Sequence, residues 1–149
     1  MISCDTNILF HACDAASSSH ERARKFLHTH QSNQRFVLCE QVLMELHGLL
    51  RNPAVCKNPL SAADAVAVIQ AFRSNPAWRI VDAVQDGRMM EQVWERAAKP
   101  DCAYRRIVDL RLAATLLAHR VQEFATCNMK DFQEAGFVKV WNPLMEPAP

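Results

Sequence analysis

The strongest constraint on this chain's fold is an alternation of two kinds of apolar segment. Short runs at residues 1–4, 35–38, 78–81, 123–126 and 137–141 have strand length, and Pro143 stops the last of them. Between them lie longer stretches whose apolar residues recur at helical spacing. Residues 8–12 read as a helical turn. Residues 20–30 read as a helix capped at Ser19 or its neighbours, with Ala23, Phe26 and Leu27 inward. Another runs over 40–50 and ends before Asn52-Pro53. Ser61 opens the next, with Asp64 three residues on in a capping-box-like start; Ala65, Val68, Ile69 and Phe72 form its stripe, and it ends near Asn75-Pro76. Residues 86–98, with Met89, Met90, Val93 and Trp94 inward, and residues 106–121 complete the helices. Strands alternating with helices predict an α/β protein: a parallel sheet of about four or five strands, covered by helices on both faces in three layers.

The 149 residues suit one domain spanning 1–149, with 145–149 as a frayed tail. Lys plus Arg number 17 against 16 Asp plus Glu, a net charge of +1, so any nucleic-acid contact must come from local patches. With three glycines, the chain holds no glycine-rich phosphate loop. The six cysteines, Cys4, Cys13, Cys39, Cys56, Cys102 and Cys127, form no CxxC pair, which argues against a zinc ribbon or thioredoxin-type site. They read as reduced thiols of a cytoplasmic protein. The start shows no basic segment leading into an apolar one, and no apolar run approaches the roughly 18 residues of a membrane span.

Four acids stand in places where a surface acid is hard to explain. Asp5 follows the first strand, where an Asp also caps a following helix. Glu45 lies three residues after Val42 and four before Leu49, on the apolar stripe of its helix. A carboxylate there must be paired, ligated or snorkelled outward. Asp109 precedes Leu112, Ala113 and Leu116 on one face of a buried-looking helix start, although an Asp in a first turn also favours the helix dipole. Asp131 follows Thr126-Cys127-Asn128-Met129-Lys130, where it organises a turn or caps a short helix. In parallel α/β folds ligands bind beyond the carboxyl ends of the strands, which is where Asp5 and the segment from Thr126 fall.

Taken together, the four acids point to a cation. Grouped carboxylates resist ionisation, and a bound ion removes that resistance. Oxygen-only ligands suit Mg²⁺ or Mn²⁺ better than Zn²⁺. The histidines, His11, His20, His28, His30, His47 and His119, lie mostly beside polar residues on expected helices and assemble no rival site. No GxSxG elbow and no Cys-His-Asn arrangement can be read. Tyr104-Arg105-Arg106, with Arg111, read either as positive charge near Asp109 or, the favoured reading, as a solvated helix edge.

These residues match a family. The chain resembles PIN-domain ribonucleases, and among them the VapC-like toxins of bacterial toxin–antitoxin pairs. The resemblance rests on Asp5-Thr6-Asn7 after an apolar strand, and on Glu45 within Val42-Leu43-Met44-Glu45-Leu46. It rests too on Asp109-Leu110-Arg111-Leu112-Ala113-Ala114, on Thr126-Cys127-Asn128-Met129-Lys130-Asp131-Phe132, and on the closing Trp141-Asn142-Pro143. Leu112 stands where the family often has Ile, a volume-conserving change. The resemblance implies that Asp5 and Asp109 are the principal metal ligands, that Glu45 and Asp131 complete the cluster directly or through water, and that Thr6 and Asn128 orient the carboxylates. It implies an RNA substrate, a homodimer and a small antitoxin partner that blocks the site. Residues 51–59 are irregular for the pattern and read as a loop near the substrate groove.

The expected chemistry is metal-dependent hydrolysis of RNA, with Glu45 or Asp131 taking the proton of the attacking water. Two other readings compete. A haloacid-dehalogenase-like phosphohydrolase also begins strand-then-Asp, but it wants a second acid two residues on, where this chain has Asn7. A degenerate PIN-like module would bind a partner without catalysis; all four acids being retained argues against it.

Overall fold

The computed structural model describes residues 1–84 and 86–145. Of the tail expected at 145–149, only Met145 lies among the described residues. The strands are β1 (Ile2–Cys4), β2 (Phe36–Cys39), β3 (Arg79–Val81), β4 (Glu123–Ala125) and β5 (Lys139–Trp141). The helices are α1 (Thr6–Cys13), α2 (His20–His30), α3 (Glu40–Arg51), α4 (Ala62–Arg73), α5 (Gly87–Ala97), α6 (Arg106–Ala118) and the short α7 (Met129–Phe132). All strand pairs are parallel, in the order β3-β2-β1-β4-β5.

Burial explains the layering. Successive side chains of a strand point to opposite faces. Every residue of β1 and β2 is buried, so helices cover both faces of the sheet centre. The edge strands β3 and β5 are partly exposed. Phe124 packs on Phe132 and Phe137, with ring centroids 4.7 and 5.1 Å apart. At the start of β2, Phe36 meets Trp78 and His30, and the Trp78 indole N–H donates to the His30 carbonyl at 2.8 Å. Among the described residues no helix is long and apolar enough to cross a membrane.

The strand order reverses between β1 and β4. From β1 the chain crosses to β2 and β3 on one side, then returns to β4 on the other. The crevice such a reversal opens lies at the carboxyl ends of β1 and β4, which deliver Asp5 and Thr126. Ser61 caps α4 as expected: its hydroxyl accepts from the Asp64 N–H at 3.1 Å and donates to the Asp64 carboxylate at 2.6 Å.

Several boundaries differ from expectation; most shift by a residue or two, as where β5 starts at Lys139 rather than at 137. The helix after β1 is longer than the turn at 8–12, because Asp5 caps it directly and it runs from Thr6. The turn around Asp131 closes into α7. Helix α6 ends at Ala118, short of Val121, because Arg120 adopts the left-handed conformation with φ 62°. There the Arg120 N–H donates to the Leu117 carbonyl at 2.9 Å and the Val121 N–H to the Leu116 carbonyl at 3.0 Å. This is a Schellman ending, with buried Val121 and Leu116 making its apolar pair. Glycine normally occupies the left-handed position, because a Cβ there costs about 1–2 kcal/mol. Arg120→Gly is therefore expected to stabilise the protein by about 1 kcal/mol, read as a higher urea midpoint with unchanged slope. A lower midpoint would show that the Arg120 side chain contributes more than its backbone strain costs.

Candidate active site

Asp5 caps α1 and sits buried in the crevice. Its backbone N–H donates to the Ala125 carbonyl at 2.9 Å, extending the β1–β4 pairing by one bond. Both carboxylate oxygens are engaged: Oδ1 accepts from the Thr6 N–H at 2.8 Å. Oδ2 accepts from the Asn7 amide at 2.7 Å and the Thr126 hydroxyl at 2.6 Å. The Thr126 hydroxyl also receives the Asn128 N–H at 3.0 Å and the Asn7 amide at 3.3 Å. Two incoming N–H groups leave its single proton one destination, Asp5. Asn7 completes the staple, its Oδ1 accepting from the Cys127 N–H at 3.1 Å.

Glu45 is half-buried on α3. It finds the Thr6 hydroxyl, which donates to its Oε2 at 2.8 Å, rather than an arginine. Adjacent side chains of Asp5-Thr6-Asn7 thus serve both acids. Asp109 lies half-buried in the first turn of α6, and Asp131 on α7. The two share a cleft with Arg96, Lys99 and Arg106. The Arg106 guanidinium donates to the Asp131 carbonyl at 3.3 Å.

Electrostatics couples the four acids at Asp109. The Asp109 carboxyl is raised to about 6, by burial first and then by the neighbouring charges of Asp5, Asp131 and Glu45, opposed by Arg106. Asp5 is also raised, by burial first, against the lowering effect of its hydrogen bonds from Thr126, Thr6 and Asn7. Among the described residues no three His, Cys, Asp or Glu side chains cluster tightly enough to cage an ion. The side chains brought together here offer carboxylate oxygens, the ligand class that Mg²⁺ takes.

The structure brings Asp5, Glu45, Asp109 and Asp131 to one region and puts Thr6 between two of them. Asn128 does not act as expected. Its side chain is exposed and makes no cap hydrogen bond; its backbone N–H anchors Thr126 and its carbonyl receives the Asp131 N–H at 3.1 Å. The amide that orients Asp5 belongs to Asn7, which the sequence pattern singled out only as part of the Asp5-Thr6-Asn7 motif and to weigh nuclease against phosphatase. Buried Gln41 was missed as well. One turn before Glu45, its amide donates to the Val108 carbonyl at 3.0 Å, tying α3 to the residue before Asp109. A polar residue one turn from a stripe acid was the available signal. His11, His20, His30 and His119 bond to groups away from the acids, and all six cysteines are free.

A five-stranded parallel sheet with this reversal, and an acidic cluster at its carboxyl edge, define a PIN-type α/β domain. No family model matches the chain. Ribonuclease VapC24 of Mycobacterium tuberculosis is 43% identical over 144 residues, 97% of each chain, in two strains. Among solved structures, Mycobacterium tuberculosis VapC20, described as a sarcin-ricin loop cleaving toxin, is similar with a TM-score of 0.68 at 21% identity, covering 92% of this chain and 96% of that one. VapBC2 from Rickettsia felis, bound to a promoter DNA fragment, is similar with a TM-score of 0.61 at 15% identity, covering 95% and 98%. The chain belongs to the VapC ribonuclease family.

The raised carboxyl of Asp109 sets a pH dependence. Its folded pKa of about 6 exceeds the ordinary 3.8. The metal-free fold is therefore favoured by the proton below about pH 4 and loses that contribution as pH rises through about 6. Asp109→Asn removes the charge at nearly constant shape. It is expected to raise the melting temperature of the metal-free protein near neutral pH and to flatten the decline between about pH 4 and 6. Thermal denaturation in chelator across that range checks it; a less stable variant near pH 7 would contradict the coupling.

Proposed function

We propose that this chain is a metal-dependent endoribonuclease, the toxin of a toxin–antitoxin pair, that hydrolyses RNA phosphodiester bonds at Asp5, Glu45, Asp109 and Asp131. The observation that carries the reading is the convergence of Asp5, Glu45 and Asp131 on half-buried Asp109, whose carboxyl their charges help to raise, at a crevice where α/β proteins bind ligands. Asp5 and Asp109 would hold Mg²⁺ or Mn²⁺, with Glu45 and Asp131 reaching it directly or through water. When bound, the ion polarises the scissile phosphate and lowers the pKa of a water.

The chain's own residues do the positioning. Thr126 and Asn7 together occupy Oδ2 of Asp5 and the Thr6 N–H takes one lone pair of Oδ1, so that Oδ1 keeps its remaining lone pair in a set direction. The Thr6 hydroxyl holds Glu45 by Oε2, leaving Oε1 free to face water. Glu45 or Asp131 takes the proton of the attacking water, and no covalent enzyme intermediate forms. The phosphohydrolase alternative would need Asp5 as a free nucleophile and a second acid at position 7. Here three donors hold Asp5, and Asn7 is one of them.

RNA as substrate follows kinship with VapC24 and VapC20. The VapBC2 neighbour supports a cognate antitoxin as partner, and we place the toxin in the cytoplasm as a homodimer.

Induced expression in a growing bacterium, with RNA ends mapped, tests the activity. Wild type is expected to arrest growth and produce discrete ends, whereas Asp5→Asn and Asp109→Asn, at wild-type folding, do neither. Full activity of both variants would sink the proposal. Thr126→Val, nearly isosteric, removes the proton given to Asp5 and the acceptor of two N–H groups. It is expected to weaken Mn²⁺ binding about 10- to 100-fold in a calorimetric titration. Unchanged affinity would mean that Asp5 does not hold the ion.

A further inference from the structure

Tyr104, the chain's one tyrosine, is 82% exposed. Its ring carries one recorded contact of interest, the Arg105 guanidinium stacked 5.3 Å from the ring centroid. Single exposed aromatics are common and need no purpose. The surroundings of this one call for an explanation. It stands in the connection from α5 to α6, whose Lys99, Asp101 and Cys102 line the cleft with Asp109 and Asp131. In sequence it lies between Cys102 and Arg106, both of which line that cleft. Two of the cleft's cations hydrogen-bond to backbone: Arg106 donates to the Asp131 carbonyl and Arg96 to the Glu134 carbonyl at 2.7 Å. An acid-rich catalytic cluster repels phosphate, so an RNA strand needs cations and apolar contact beside it.

We propose that Tyr104, backed by Arg105, is a stacking platform for an unpaired nucleobase next to the scissile phosphate, with Lys99 and Arg106 taking the flanking phosphates. Every base has a π-face, so stacking holds single-stranded RNA with little dependence on sequence. The guanidinium on the other side of the ring adds a cation–π contact and a charge for the backbone. Paired bases in a duplex cannot reach such a ring, so the platform selects loops and unpaired strands. The inference rests on the ribonuclease reading of the site.

The test titrates the full-length protein into a fluorescent random-sequence RNA of roughly 12 nucleotides, within the 4–16 covered by single-strand binding sites, and into an abasic ribose-phosphate strand of equal length. Both titrations contain Mg²⁺ and are read by anisotropy. Tyr104→Ala is expected to weaken binding of the base-bearing strand about 5- to 150-fold, the equivalent of roughly 1–3 kcal/mol per stacked base. Tyr104→Phe should bind like wild type. On the abasic strand, wild type and Tyr104→Ala should bind alike. Wild-type affinity of Tyr104→Ala for the base-bearing strand, or an equal deficit on both strands, overturns the platform while leaving the ribonuclease reading intact. Failure of wild type to bind or cut either strand overturns both.

Discussion

The structure depends on one buried carboxylate being worth burying. Asp5 lies where the sheet changes direction, and the groups that receive it come from both sides of that change. Thr6 and Asn7 follow β1, and Thr126 follows β4. An acid out of water is expensive unless its oxygens are matched by donors. The matching also fixes the spacing of β1 and β4, because the Asp5 N–H continues their ladder to Ala125. The constraint that tolerates the charge therefore also defines the crevice. Glu45 is carried along by the same tripeptide through the Thr6 hydroxyl. Burial and repulsion still hold Asp109 well above its ordinary value, so the fold keeps its acids ready for a positive charge at some cost to itself.

Much of the fold could be read in the sequence, because the signals that set it are local. The central strands β1 and β2 are buried apolar runs, and Ser61 with Asp64 announces α4 through atoms three residues apart. Glu45 and Asp109 could be singled out because helical periodicity places them on faces otherwise occupied by leucine and valine. What could not be read depends on contacts across the chain or on backbone exceptions. Asn7 bonds Thr126, 119 positions away, and Gln41 bonds Val108, 67 positions away. No periodicity reports such pairs. Asn128 was credited with a role because amides orient carboxylates, but the chain turns so that its backbone does the anchoring and its side chain faces water. The end of α6 was misjudged because a left-handed arginine carries no glycine signal.

The comparisons divide the sequence in a physically sensible way. Structures sharing only 15–21% identity keep the sheet and its flanking helices. Burial and strand geometry tolerate many apolar substitutions provided volume and pattern are kept. The placement of Asp5 and Glu45 has less latitude, since both are held by named donors whose loss leaves a carboxylate facing its like neighbours. The cleft beyond them is lined by charged and exposed side chains, free to vary without disturbing the core.

The pairing of β1 with β4 has a consequence for the order of synthesis. Asp5 is made 121 positions before Thr126, whose hydroxyl secures it. A nascent chain lacking Thr126 leaves β1 with one strand neighbour and its carboxylate without one of its donors. Asp131, five residues further on, is missing from any shorter fragment as well. Prematurely terminated products therefore cannot assemble the site. Closing so long a loop is slow relative to forming the local helices, so the site is completed late, after most of the chain has been made.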